Sequence, residues 1–121
     1  MVSDELDALQ NRFPVCKTLA YADLTTGMVL VTNSNTPLER HGLNQLSADA
    51  ALLLGGADDT PQIGAGVAAS AIVSSQDAVS VFLRAEGHPN DALLCTGGGD
   101  LDLAAFIPEA QACLKRISEN G

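Results

Sequence analysis

The chain has 121 residues, 46% of them hydrophobic, only 17% charged and 3% aromatic, with 15 acidic residues against 6 basic ones and a net charge of −9. That length suits one domain with one core, and so many apolar residues beside so few charges argue against disorder. The acidity repels phosphate backbones and anionic bilayers, which excludes nucleic acid and membranes as expected partners.

Met1 to Arg12 reads MVSDELDALQNR, acidic and amphipathic, with no apolar stretch of the kind that directs secretion. The longest strongly apolar run, Ala48 to Leu54, is interrupted by Asp49 and is far too short to span a bilayer. The expectation is a cytoplasmic protein forming a single domain over residues 1–121. A first helix is predicted from Ser3 to Arg12. Ser3 would cap it, Asp4 and Glu5 suit the positive end of its dipole, Leu6, Leu9 and Phe13 share a face, and Pro14 ends it.

Val15 to Leu24 reads as a strand with two apolar faces, Val15, Leu19 and Tyr21 on one and Cys16, Ala20, Ala22 and Leu24 on the other. Such a strand is covered on both sides. Asp23 to Gly27 forms a turn in which Gly27 supplies a positive φ, and Met28 to Thr32 returns as the second strand of a hairpin.

Thr36, Pro37 and Glu39 then combine a capping box with a proline at the first helical position, which predicts a helix from Thr36 to Leu54, ended by Gly55 and Gly56. Leu38, Leu43, Leu46, Ala50, Leu53 and Leu54 make its main apolar stripe. Ala48, Ala51 and Leu52 widen that stripe beyond what one sheet face would cover.

Gly55 to Gly66 is a glycine-rich loop. Strands follow at Val67 to Ser75, Ala78 to Ala85 and Ala92 to Thr96, joined by a tight turn at Gln76–Asp77 and a hairpin loop from Glu86 to Asp91. After Gly97, Gly98 and Gly99 a last helix lies within Asp100 to Asn120, with Leu103, Phe106, Ala110, Cys113, Leu114 and Ile117 at helical spacing. Pro108 inside it predicts a kink or a restart. The fold class is therefore α/β (α+β), in the order α-β-β-α-β-β-β-α. Its single five-stranded sheet is mainly antiparallel, with helices on both faces.

Nothing in the sequence assembles a catalytic centre. Gly64, Gly66 and Ala69 match a dinucleotide-binding spacing, but a polar loop precedes them and a strand follows, the reverse of what that motif needs. Gly97 to Asp100 lies between strand and helix, without the Lys and Ser/Thr of a phosphate loop and with Asp100 and Asp102 to repel an anion. Asp58 and Asp59 read as a solvated loop, and Asp100 and Asp102 as cap and first-turn residues. His41 and His88 have no Cys or Ser beside them in a triad-like pattern. Cys16, Cys95 and Cys113 are odd in number and lack metal-type spacing, so they read as buried reduced thiols. No enzyme activity, cofactor or metal is expected.

Two segments carry a family resemblance. Ala22 to Val31, followed by the Ala/Leu-rich helix, and Val79 through the glycine turn to Leu114 resemble the opening and closing halves of the roadblock-type dynein light chain family and its bacterial relatives. The resemblance implies one helix on one face of the sheet and two on the other. It implies homodimerisation through the second helix and third strand, and service as a scaffold or regulator for small Ras-like GTPases. Ala48, Ala51, Leu52, Ala69, Ala71 and Val73 are the interface residues expected on that basis. The alternative reading, a sensor module binding a small molecule between sheet and helix, rests on the profilin-like architecture that such domains share. Scarce aromatics count against it.

Overall fold

The computed structural model describes residues 2–34, 39–54, 70–85 and 88–120. The elements are α1 (Val2–Arg12), β1 (Cys16–Asp23), β2 (Met28–Thr32), α2 (Arg40–Leu54), β3 (Ser70–Ser74), β4 (Ala78–Ala85), β5 (His88–Gly98) and α3 (Leu103–Asn120). The five strands form one sheet in the order β2-β1-β5-β4-β3, with every neighbouring pair antiparallel. The predicted fold class and element order hold.

Two apolar layers sandwich the sheet. Leu6 and Leu9 of α1 and Phe106, Ala110, Cys113, Leu114 and Ile117 of α3 pack against Leu19, Val79, Val81, Leu83, Leu93 and Cys95 on one face. On the other, Leu46, Ala50 and Leu54 of α2 pack against Ala20, Ala22, Phe82, Ala92 and Leu94. Small residues under α2 let the helix lie close to the strands, while Phe82 fills the remaining depth. The α1 and α3 pair is also joined edge to face by Phe13 and Phe106, with centroids 5.2 Å apart, and by exposed Arg12–Glu109 and Arg116–Glu5 ion pairs. Among the described residues no helix is long and apolar enough to cross a membrane.

Local signals hold where nothing distant competes. Gly27 takes a φ of 69°, its N–H donates to the Asp23 carbonyl at 2.9 Å, and the Asp23 carboxylate accepts the Thr25 N–H. Asp102 caps α3, its carboxylate accepting the Ala105 N–H and its carbonyl the Phe106 N–H.

Elsewhere the structure corrects the sequence reading. Cys16 packs with Leu19 on the α1/α3 face and not with Ala20 and Ala22, because the register between β1 and β5 shifts between Cys16 and Thr18. One extra residue in a strand reverses its alternation. Helix α1 starts at Val2, which packs on the core, so Ser3 lies inside the helix and is no cap. Strand β5 is longer than Ala92 to Thr96 and runs on through Gly97 and Gly98. A Cβ at Gly97 would sit 2.9 Å from the Val15 carbonyl oxygen, so this glycine serves close approach to β1 and not a turn.

Helix α2 begins at Arg40, and the Glu39 carbonyl accepts its first bond from the Leu43 N–H at 2.9 Å. The predicted start at Thr36 lies outside the described residues. Ser34 is tied to Asp7 of α1 through its N–H and its hydroxyl, both at 2.7 Å. Strand β3 is described from Ser70, so the predicted start at Val67 also lies outside the described residues. The predicted restart at Pro108 does not occur, and α3 continues through it. Pro108 and Ala104 are both exposed.

Candidate interaction surface

Helix α2 crosses the sheet from β2, where Leu43 and Asn44 lie beside Val29 and Leu30, to β4, where the Arg84 guanidinium donates to the Leu54 carbonyl at the end of the helix. A cation there complements the negative end of the helix dipole. Near mid-helix, Ser47 Oγ donates to the Gly27 carbonyl at 2.5 Å, which fastens the β1–β2 hairpin to α2. The helix is thus held at several points, and its outward residues are displayed in a fixed orientation.

Arg40, His41, Asn44 and Gln45 are exposed in its first half, and the exposed residues that follow them, Ala48 and Leu52, are apolar. Leu52 is 79% exposed, Ala48 is exposed and Ala51 half-buried. Beyond β4 lies β3, the last strand on that side, with an outer edge that has no paired strand among the described residues. Its sequence, SAIVS, contains neither charge nor proline. Ala71 pairs with Phe82 and packs toward α2, and Val73, paired with Ser80, faces the same way at 46% exposure. Ala69 lies outside the described residues. Ile72, also 46% exposed, was not singled out by sequence, because alternation sends it to the face away from α2. Its place midway along an edge strand is the signal that could have found it.

His41 and His88 are exposed on separate elements, whereas Cys16, Cys95 and Cys113 are buried and free. The neighbouring Cys16 thiol and burial push the Cys95 thiol far up, and burial pushes Cys113 up to about 11, so both are held protonated. Burial and a hydrogen bond with Asp91 push the Tyr21 phenol up to about 12. Among the described residues no group of three or more His, Cys, Asp or Glu could hold a metal ion. The glycine turn is spent on the protein itself, since the Gly98 N–H donates to Val15, the Gly99 N–H to Asp77 and the Leu101 N–H to Gly98. A cleft of about 460 Å³ does lie beside it, but Asp77 and Asp100 line its rim.

No protein-family model and no curated protein matches the chain. Solved structures do. The chain is similar to a roadblock/LC7 domain from Streptomyces avermitilis, with 14% identity and a TM-score of 0.74 over 98% of this chain and 95% of that one. It is similar to MglB of Myxococcus xanthus, with 14% identity and a TM-score of 0.72 over 99% of this chain and 96% of that one. For the gliding protein MglB of Thermus thermophilus the identity is 15% and the TM-score 0.69, over 99% and 90% of the two chains. Identity at this level speaks for the fold alone. The chain has the fold of roadblock/LC7 domains, the family that its opening and closing segments resemble.

Proposed function

We propose that this chain is a single-domain, non-enzymatic, homodimeric interaction module of the cytoplasm that serves a small Ras-like GTPase as scaffold or regulator. The observation that carries the dimer is the uncharged edge of β3, together with the exposed Leu52 on α2. An edge without Lys, Pro or charge invites a further strand. A twofold axis beside β3 would pair two such edges and bring the two α2 helices together. Covering a leucine as exposed as Leu52 gains about 1.5–3 kcal/mol, counted twice by symmetry. The GTPase is implied by the roadblock resemblance. One similar structure, 12% identical with a TM-score of 0.72, is described as MglB with tetrameric arrangement, so at least one protein of this fold assembles from several copies.

Light scattering at micromolar concentration tests the interface. The wild-type chain should be dimeric and Leu52→Glu monomeric, because two like charges would meet in an apolar contact. A monomeric wild type, or a Leu52→Glu dimer, would refute it. Capture of Ras-like GTPases loaded with GDP or with a GTP analogue tests the partner. Failure to retain any of them, or to change their nucleotide hydrolysis or exchange, would remove that part of the proposal.

A further inference from the structure

The sheet has a second open edge. β2 ends the strand order on the side away from β3, and its outer edge has no paired strand among the described residues. Met28 and Leu30 of this five-residue strand are 55% and 53% exposed, although both are large and apolar. Leu30 owes its position to the register shift between Tyr21 and Ala22. Val29 pairs with Ala22 and Val31 with Tyr21, so Leu30 is the extra residue of a bulge. Bulges at sheet edges re-aim a side chain. Here Leu30 is turned into a trough of about 270 Å³ between β2 and the first turns of α2, which Val29, Leu43, Asn44 and Arg40 also line.

Arg40 is the one charged residue in that lining, within a chain of net charge −9, and among the described residues it makes no ion pair. We propose that the β2 edge and its trough receive an extended segment of another protein, added as a strand. That segment would place apolar side chains at alternate positions over Leu30 and Leu43, and a carboxylate against Arg40. The strand form follows from the edge, since unpaired main-chain N–H and C=O groups are answered by another extended backbone. Alternation follows from the period of two, which sends every second side chain into the trough. The acid follows from charge complementarity.

A second copy of this chain fits less well. Its own β2 reads MVLVT and has no acidic group to bring to Arg40. The inference is independent of the proposed dimer, because β2 and β3 are at opposite ends of the sheet. If β3 edges do pair, each dimer presents two β2 edges and can hold two such partners.

The probe is a phage-displayed library of random peptides, selected on the full chain. An enriched peptide is then synthesised with a fluorescent label and titrated by anisotropy. Enriched sequences should alternate apolar residues and carry Asp or Glu. Binding should weaken at least about tenfold in both Leu30→Asp and Arg40→Glu, and stay unchanged in Leu52→Glu. Amide shifts on binding should concentrate at Met28 to Thr32. If circular dichroism shows that Leu30→Asp does not fold, Arg40→Glu, on an exposed side chain, decides alone. The proposal is overturned if no sequence is enriched, if binding survives the β2-side substitutions, or if it is lost in Leu52→Glu. Enrichment of copies of Met28 to Thr32, with self-association abolished in Leu30→Asp, would also overturn it by making a second copy the occupant.

Discussion

Asn33 should be worth far more than its place in a connection suggests. It is 1% exposed, immediately after β2, where the ladder between β1 and β2 ends at Ala20 and Thr32. Beyond that pair Asn33 continues the ladder itself. Its N–H donates to the Leu19 carbonyl at 3.0 Å, its Oδ1 accepts the Leu19 N–H at 2.9 Å, and its Nδ2 reaches the Lys17 carbonyl at 3.4 Å. Asn33→Ala keeps the main-chain bond but strands the N–H of a fully buried leucine. A buried donor left without a partner costs about 1–3 kcal/mol, and the long bond to Lys17 adds little, so a loss of about 2 kcal/mol is expected. In a chain of this size that lowers Tm by roughly 8 °C. With no Trp and one Tyr, far-UV circular dichroism in urea is the better assay. Protein concentration must be held fixed, since a dimer's midpoint depends on it. The urea midpoint should fall with the slope unchanged. A loss under about 0.5 kcal/mol would refute the argument, for it would mean that water replaces the side chain.

The Ser34 N–H, and after it the Ser34 hydroxyl, hold the Asp7 carboxyl below its usual value of 3.8. A carboxyl lowered in the folded state adds stability above its unfolded value and loses it as pH falls through the folded one. Asp7→Asn should therefore flatten the acid limb of the stability profile, and an unchanged acid limb would disprove the linkage. Gly97→Ala should cost about 1–3 kcal/mol in denaturation, because its Cβ would meet the Val15 carbonyl at 2.9 Å and backbone cannot yield cheaply. A neutral substitution would show that β1 relaxes there. For Cys113 the sign is opposite to that of Asp7. Its thiol is raised from 9.0 to about 11, so its contribution is full below 9.0 and is lost as pH rises through about 11. Native protein should react slowly with iodoacetamide at mildly alkaline pH and show three thiols in denaturant. Fast native labelling of Cys113 would contradict its burial.

Much of the fold could be read from local chemistry, since the relevant signal lies within a few residues of its effect. Gly27 turns because a positive φ costs glycine nothing, and Asp102 caps α3 because its carboxylate reaches an N–H three residues on. Apolar residues on both faces of β1 already required cover on both sides, and α1, α2 and α3 supply it. The α2 part of the proposed dimer surface follows from helical spacing alone, because Leu52 sits off the stripe that Leu46, Ala50 and Leu54 bury.

Tertiary structure decided whatever depends on a partner distant in sequence. A period of two assigns faces only while the register is regular, and the bulge that turns Cys16 over exists only in the pairing of β1 with β5. Gly97 reads as part of a turn until the backbone of Val15 and Cys16 comes close enough to need its missing Cβ. Strand order, too, is a property of pairing: it places β1 beside β5 in the interior and leaves β2 and β3 as the edges. Met28, Leu30 and Ile72 are ordinary apolar strand residues in the sequence. They are exposed because no strand follows them in the sheet, and pairing between distant segments, which no local pattern encodes, determines where the sheet stops.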